Sequence, residues 1–456
     1  MTVSVGVKRT RLYFKGLFFL GVFFLVWQHI KMPGVGVIDG NTPILFLGFL
    51  FLLGNLLAKK KIEIKTEEVV VALFLLAECI WGFLSGNTLP GISRFINGYI
   101  GFGVIYFAAR MFFVNCSKRE FDRFVKAVFW GTAIITVVIG GLQMIYIFGG
   151  HSSAVYAVLE SITYRELEYV KEGKIQLMTE PSLFGNILYL CFLPSAVYLN
   201  RQKMYSRRLL VICSAVVIAI NFLGFSVRLA FDTFVFLLIY QFYRMNRRNE
   251  RRDNRLILLL ILLAAAFLIF LIIYNDVLSL REKGNFFNRI YRICHFGINE
   301  SRDQSAQVRS ENIRCALIGF TQKPFLGWGA GGFVNALAGN YRELSSRGAN
   351  AEILALLDGG NAVSYSFLFT QLCEGGLLGL TVIILMLSPI IKNIKRYDKT
   401  LLFVIGSFFI YMLIQNELIG NAVAAIVIAL FVSLNRLRQN AAILTDDMYM
   451  VLWKAE

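Results

Sequence analysis

The chain has 456 residues, of which 57% are hydrophobic and only 16% are charged, with a formal net charge of +17. An ordinary soluble domain is about half apolar and about a quarter charged, so this composition excludes that class and points to a membrane protein. The basic residues are scattered over linkers and not gathered on one face, which excludes a nucleic-acid partner.

Apolar runs at 12–30, 43–58, 68–85, 95–113, 127–149, 176–199, 209–226, 228–243, 256–275, 366–391, 400–415 and 418–434 predict an all-α fold. The architecture expected is a polytopic transmembrane bundle of about 12 spans, since a bilayer crossing takes roughly 20 apolar residues. The runs are apolar all round, without the period-2 alternation of a spanning barrel. The first run is too long for a signal peptide and lacks a small-residue cleavage site, so it reads as a retained helix. Lys and Arg cluster at 8–15, 59–65, 118–126, 201–208, 244–255, 392–399 and 436–454. Twelve crossings put every cluster on one side, which the positive-inside rule makes cytoplasmic, together with both termini.

The division expected is an N-terminal transmembrane region at 1–275, an extracytoplasmic loop at 276–365, a C-terminal transmembrane region at 366–434 and a cytoplasmic tail at 435–456. The long loop stands out, because structureless connections beyond about 15 residues are uncommon and usually functional. It carries a predicted helix at 304–322, with Ile313, Ala316, Leu317 and Phe320 at helical spacing, and Pro324 ends it. The Gly327–Gly332 segment follows. It fits GxGxxG, but a helix and not a strand precedes it, so a dinucleotide site is rejected. Two readings remain: a tight backbone turn, or exposed amides that contact a phosphate. The outer turn at 86–94 and the charged segment near 160–174 rank below this loop.

Several polar residues lie in apolar surroundings. Glu78, in the third span, is expected to pair with another helix. Arg228 sits in the outer turn between two spans, where it either serves a ligand or snorkels beside Asp232. Glu180 follows Thr179 and precedes Pro181, so it either handles an acceptor hydroxyl or belongs to a helix N-terminus. Glu374 lies just inside a span, as a base or as a paired structural acid. His151 and His295 read as surface residues. The seven cysteines show no metal-ligand spacing and read as packing. Cys294 and Cys315 share the outer loop and could pair in an oxidising compartment.

Three stretches carry a resemblance. The first is Arg309-Ser-Glu-Asn-Ile-Arg314 running on through Ala316-Leu317 to Pro324-Phe-Leu-Gly327-Trp-Gly329 and Phe333. The second is Tyr365-Ser-Phe-Leu-Phe-Thr-Gln-Leu-Cys-Glu374-Gly-Gly-Leu-Leu-Gly379. The third and weakest is Thr179-Glu180-Pro181-Ser182. In this order they resemble the O-antigen polymerase and O-antigen ligase superfamily, whose polymerase branch is called Wzy. The family commonly has a His at the start of the second stretch, where this chain has Tyr365 or Ser364, with Asn361 slightly upstream. That departure favours polymerase over ligase and leaves the proton acceptor unassigned, because a phenol of pKa near 10 is a poor base.

The resemblance implies a glycosyltransferase that polymerises undecaprenyl-pyrophosphate-linked repeat units into O-antigen, capsule or exopolysaccharide. The reaction would take place on the outer face of a bacterial cytoplasmic membrane, with no cofactor and no metal. It implies partners as well: the lipid-linked glycans, the bilayer, a chain-length regulator and a flippase. The departing diphosphate needs cations, and Arg suits it best because its fork binds phosphate bidentately and stays charged. Arg309 and Arg228 are the expected cations and Glu374 and Glu180 the expected acids. Arg314, Gly327, Gly329, Asn361 and Tyr365 are the expected substrate contacts. Arg309 also has a plain reading, as a solvated arginine paired with Glu311 or Glu300. A ligase, or a flippase of lipid-linked oligosaccharide, is the rival function.

Overall fold

The computed structural model describes residues 29–32, 36–39, 41–57, 64–162, 170–171, 175, 187–222, 304–344, 366–392, 406 and 422–442. The expected spans at 228–243 and 256–275 lie outside the described residues, as does nearly all of 400–415. So do Arg228, Glu180, Asn361, Tyr365, Cys294 and His295.

The described residues are helical apart from one short antiparallel hairpin, β1 (His29–Met32) and β2 (Gly36–Asp39), with His29 opposite Asp39. The hairpin corrects the end of the first expected span, since His29 and Ile30 are strand and not helix. Then follow α1 (Asn41–Leu57), α2 (Thr66–Leu84) and the short α3 (Thr88–Ser93). A π-helical turn, Arg94–Ile100, leads into α4 (Gly101–Asn115). Next come α5 (Lys118–Phe148), α6 (Ser153–Ile162), α7 (Leu193–Arg201) and α8 (Arg207–Phe222). The large loop supplies α9 (Gln304–Gln322) and α10 (Phe333–Leu344), and α11 (Phe367–Lys392) and α12 (Ala422–Ala442) complete the set. Three stretches, Thr88–Asn115, Lys118–Phe148 and Phe367–Pro389, are long and apolar enough to cross a membrane. Large side chains such as Phe46, Leu57, Leu84, Leu89 and Phe148 stand exposed. In water such surfaces drive association; against lipid tails they are in their own medium.

Local chemistry starts two of these helices. Ser117 Oγ accepts from the Glu120 amide, and the Glu120 carboxylate accepts from the Ser117 amide at 2.7 Å, a reciprocal cap on α5. Glu68 takes the Lys65 amide at 2.7 Å in the same way at the start of α2. Small residues then let helices approach closely. Ala108 and Ala109 of α4 are fully buried, as are Ala424, Ala425 and Ala429 of α12, and these two helices pack along their length.

Lys65 and the expected basic segments 118–126 and 201–208 lie at one end of the bundle. Lys65 Nζ lies 3.5 Å from the Val432 carbonyl, Tyr198 donates to Asp122 Oδ1 at 2.8 Å, and Lys126 stands over the Tyr205 ring. Here the buried Arg110 pairs with Glu68, which also accepts from Tyr106. Removing one member of a buried pair costs about 3–5 kcal/mol, so Glu68→Ala is expected to lower the melting temperature of the detergent-solubilised protein markedly. An unchanged melting curve would show that water replaces the pair. The opposite end carries the hairpin, which touches α6, together with α3 and the glycine segment.

Candidate functional site

The expected loop helix is present over the expected residues, and it ends just before Pro324. Its buried face keeps only Ala316 of the expected one. Val308, Asn312, Cys315, Ala316 and Gly319 face inward, whereas Leu317 is exposed and Ile313 and Phe320 are only half-buried. Burial pushes the Cys315 thiol up to about 12, and Cys315 is a free thiol. Arg309 is half-buried on this helix and Arg314 is exposed. Five residues turn a helix by about 140°, so the two do not share a face.

Gly327, Gly329 and Gly331 have φ of 65°, 80° and 74°, the left-handed region that favours glycine. The backbone N–H groups of this segment are committed within the protein. Gly327 donates to Lys323 O at 3.0 Å, Trp328 to Cys373 O at 2.9 Å, Gly329 to Glu374 O at 2.8 Å and Ala330 to Glu78 O at 3.1 Å. Those of Gly331 and Phe333 lie against the Glu374 carboxylate. The expectation that Gly327 and Gly329 offer amides to a phosphate is therefore corrected: no such donor is left on either. The turn reading is the one the geometry carries.

The segment clasps a break in α11. Gly376 has φ 59° and ψ −140° and interrupts the helix. The break frees backbone groups on both sides, and the clasp takes them up. Cys373 O and Glu374 O accept from the loop, while the amides of Leu377 and Leu378 donate back to Pro324 O at 2.8 Å and Phe325 O at 3.4 Å. Side chains lock the arrangement. Trp81 Nε1 donates to Gly327 O, Asn87 Nδ2 to Trp328 O, and Trp328 Nε1 to Gly319 O, with Lys323 over the indole. Of these donors Asn87 is buried, and such a group costs about 1–3 kcal/mol if left unpaired.

Behind the clasp lies a charged cluster from three elements. Tyr99, in the π-helical turn, donates to Glu78 Oε1 at 2.9 Å, and Gln371 Nε2 donates to Glu78 Oε2. Glu78 is thus paired with other helices, as expected. Arg94 Nε lies 3.4 Å from Glu374 Oε2, with side-chain exposures of 11% and 2%. The guanidinium stands over the Tyr99 ring, 5.9 Å from its centroid. Arg94 Nε and Nη2, Glu374 Oε2 and Gln371 Oε1 are buried without a hydrogen-bond partner.

The chain matches no family model and no curated protein. The geometry alone therefore defines the site: Glu374 is inside it, Glu78, Tyr99 and Gln371 support it, and Arg94 is its cation. Arg94 was missed in the sequence because the turn at 86–94 ranked below the large loop. The signal was there: a single basic residue between Pro90-Gly91 and Phe95-Ile96, the same kind of apolar setting that drew attention to Arg228.

Proposed function

We propose that this protein is a membrane glycosyltransferase that polymerises polyprenyl-diphosphate-linked oligosaccharide repeat units, with the glycine-clasp end of the bundle on the outer side of a bacterial cytoplasmic membrane. One observation carries the reading. The two stretches that resemble the polymerase and ligase superfamily are, over the described residues 309–333 and 366–379, physically one unit, since the first clasps the helix break in the second. Motifs that coincide by chance have no reason to dock on each other and on a buried Arg–Glu pair. Lys65 and the basic segments 118–126 and 201–208, at the other end, fit a cytoplasmic side.

The chemistry asked of the site is displacement of a diphosphate by a sugar hydroxyl. Cations must meet the negative charge that develops on the leaving group. Arg309, at the edge of the loop unit, is the residue proposed to do so. Arg309→Ala is expected to abolish polymer while the amount of protein in the membrane stays normal; a single such donor is worth about 100- to 1,000-fold in rate. Normal polymer from that variant would remove Arg309 from the mechanism.

The reading itself is tested with purified protein in lipid nanodiscs and lipid-linked repeat units. Lengthening of the glycan supports a polymerase, and transfer to a lipid A core supports a ligase. Movement across the bilayer without a new glycosidic bond supports a flippase and rejects the proposal.

A further inference from the structure

We infer that Arg94 and Glu374 form the subsite for the attacking hydroxyl of the acceptor sugar, with Glu374 as the proton acceptor; this rests on the glycosyl-transfer reading above. The unmet hydrogen-bonding groups carry the inference. Arg94 Nε and Nη2 are donors with no acceptor, and Glu374 Oε2 is an acceptor with no donor. The Nε and Oε2 atoms face each other at 3.4 Å without a formed hydrogen bond. A group that completes both must donate and accept at once, and a hydroxyl is the smallest organic group that does. Gln371 belongs to the same cluster, and its amide nitrogen is held on Glu78. That leaves its unpartnered Oε1 as a second acceptor, which suits a molecule with several hydroxyls.

Charge decides between a hydroxyl and a phosphate here. Glu78 and Glu374 already set two carboxyl groups against one guanidinium. A further anion beside Arg94 would face both carboxyl groups in a medium where charges are poorly screened. A neutral hydroxyl fills the same hydrogen bonds with no change of charge. The diphosphate is therefore assigned elsewhere and the acceptor here. The Arg94 side chain as a whole keeps an exposure of 11%, against 2% for Glu374.

In the step itself, the hydroxyl oxygen forms a bond to the anomeric carbon of the donor sugar. The bond from that carbon to the phosphate oxygen breaks, and polyprenyl diphosphate leaves with the electron pair. The hydroxyl proton passes to Glu374 Oε2. Arg94 donates to the hydroxyl oxygen and orients the lone pair that attacks. The amides of Gly331 and Phe333 lie against the Glu374 carboxylate. The glycine segment thus sits beside the base, and the donor's diphosphate is left to Arg309.

The test uses the full-length protein in nanodiscs and the native lipid-linked repeat unit extracted from host membranes. Wild type must elongate it; no elongation overturns the glycosyl-transfer reading and this inference together. With an active wild type, Glu374→Gln is expected to lower kcat by about 100-fold or more, the range of general-base catalysis, with the KM for donor little changed. The glutamine leaves Arg94 buried with one carboxyl partner fewer, so the melting temperature should fall, and kcat is compared at a temperature where both proteins are folded. Arg94→Lys, which keeps the charge and loses the fork, is expected to raise the KM for acceptor. Should Glu374→Gln fail to fold, Glu374→Asp takes its place. Its carboxylate is drawn back by one methylene, and a drop of about tenfold or more in kcat is expected from the misplaced base. Elongation at the wild-type rate by either Glu374 variant overturns the assignment while leaving the polymerase reading intact.

Discussion

Gly329→Ala is expected to prevent accumulation of folded protein. A methyl group at this position would sit 2.4 Å from the Gly82 backbone, against backbone atoms that have no rotamer to change. It would also be held at φ 80°, which costs an L-residue roughly 1–2 kcal/mol before any clash is counted. Relief requires the clasp to lift from α2, and lifting it strips the donors from Cys373 O, Glu374 O and Glu78 O together. Three buried carbonyls without partners, at about 1–3 kcal/mol each, approach the whole stability of an ordinary domain. Gly339→Ala, on α10, is the matched control. Nothing lies within 4 Å of its new methyl group, and replacing a helical glycine gains about 0.5–1 kcal/mol. The measurement is the yield of monodisperse protein after detergent extraction. Wild-type yield from Gly329→Ala would mean that the clasp is not part of the stable fold.

The legible and illegible parts of the chain divide on a physical line. Local signals read well. Pro324 ends α9, and the glycine run gives a left-handed turn, because each effect acts within a few residues of its cause. The apolar runs at 95–113, 127–149 and 366–391 are stretches long enough to span, because length and hydropathy suffice for that. The buried face of α9 did not read. Apolar spacing sends Ile313, Ala316, Leu317 and Phe320 inward, yet of these only Ala316 is buried, and the helix presents it with Cys315 and Gly319 to its neighbours. The reason is distance: a methyl group on Gly319 would lie 2.8 Å from Cys373 Sγ and 3.0 Å from Ala336 Cβ. Where helices approach that closely, small residues mark the contact and large apolar ones turn away. Arg94 was illegible for a related reason. In sequence it is a basic residue at a turn, free to reach solvent. In the fold it pairs with Glu374, far along the chain, and is largely buried. No window of local sequence contains both partners.

That pairing sets up the second large effect. Arg94→Ala is expected to cost about 3–5 kcal/mol, because it leaves Glu374 and Glu78 buried with no cation between them. The loss should be mostly a penalty on the orphaned carboxylate and not the worth of the pair, since taking two charges out of water already spends much of their mutual attraction. The double variant Arg94→Ala with Glu374→Gln separates these terms. Glutamine removes the unpaired charge and still accepts from Gly331 and Phe333, so a large part of the stability should return. The coupling between the two sites is expected at about 1–3 kcal/mol, well beyond the additivity of independent positions. Melting temperatures of the two single variants and the double in one detergent give the cycle. Strict additivity would mean that Arg94 and Glu374 do not interact energetically. If the double variant regains stability yet stays inactive in elongation, the buried pair is retained for what it does to the acceptor and not for what it does for the fold.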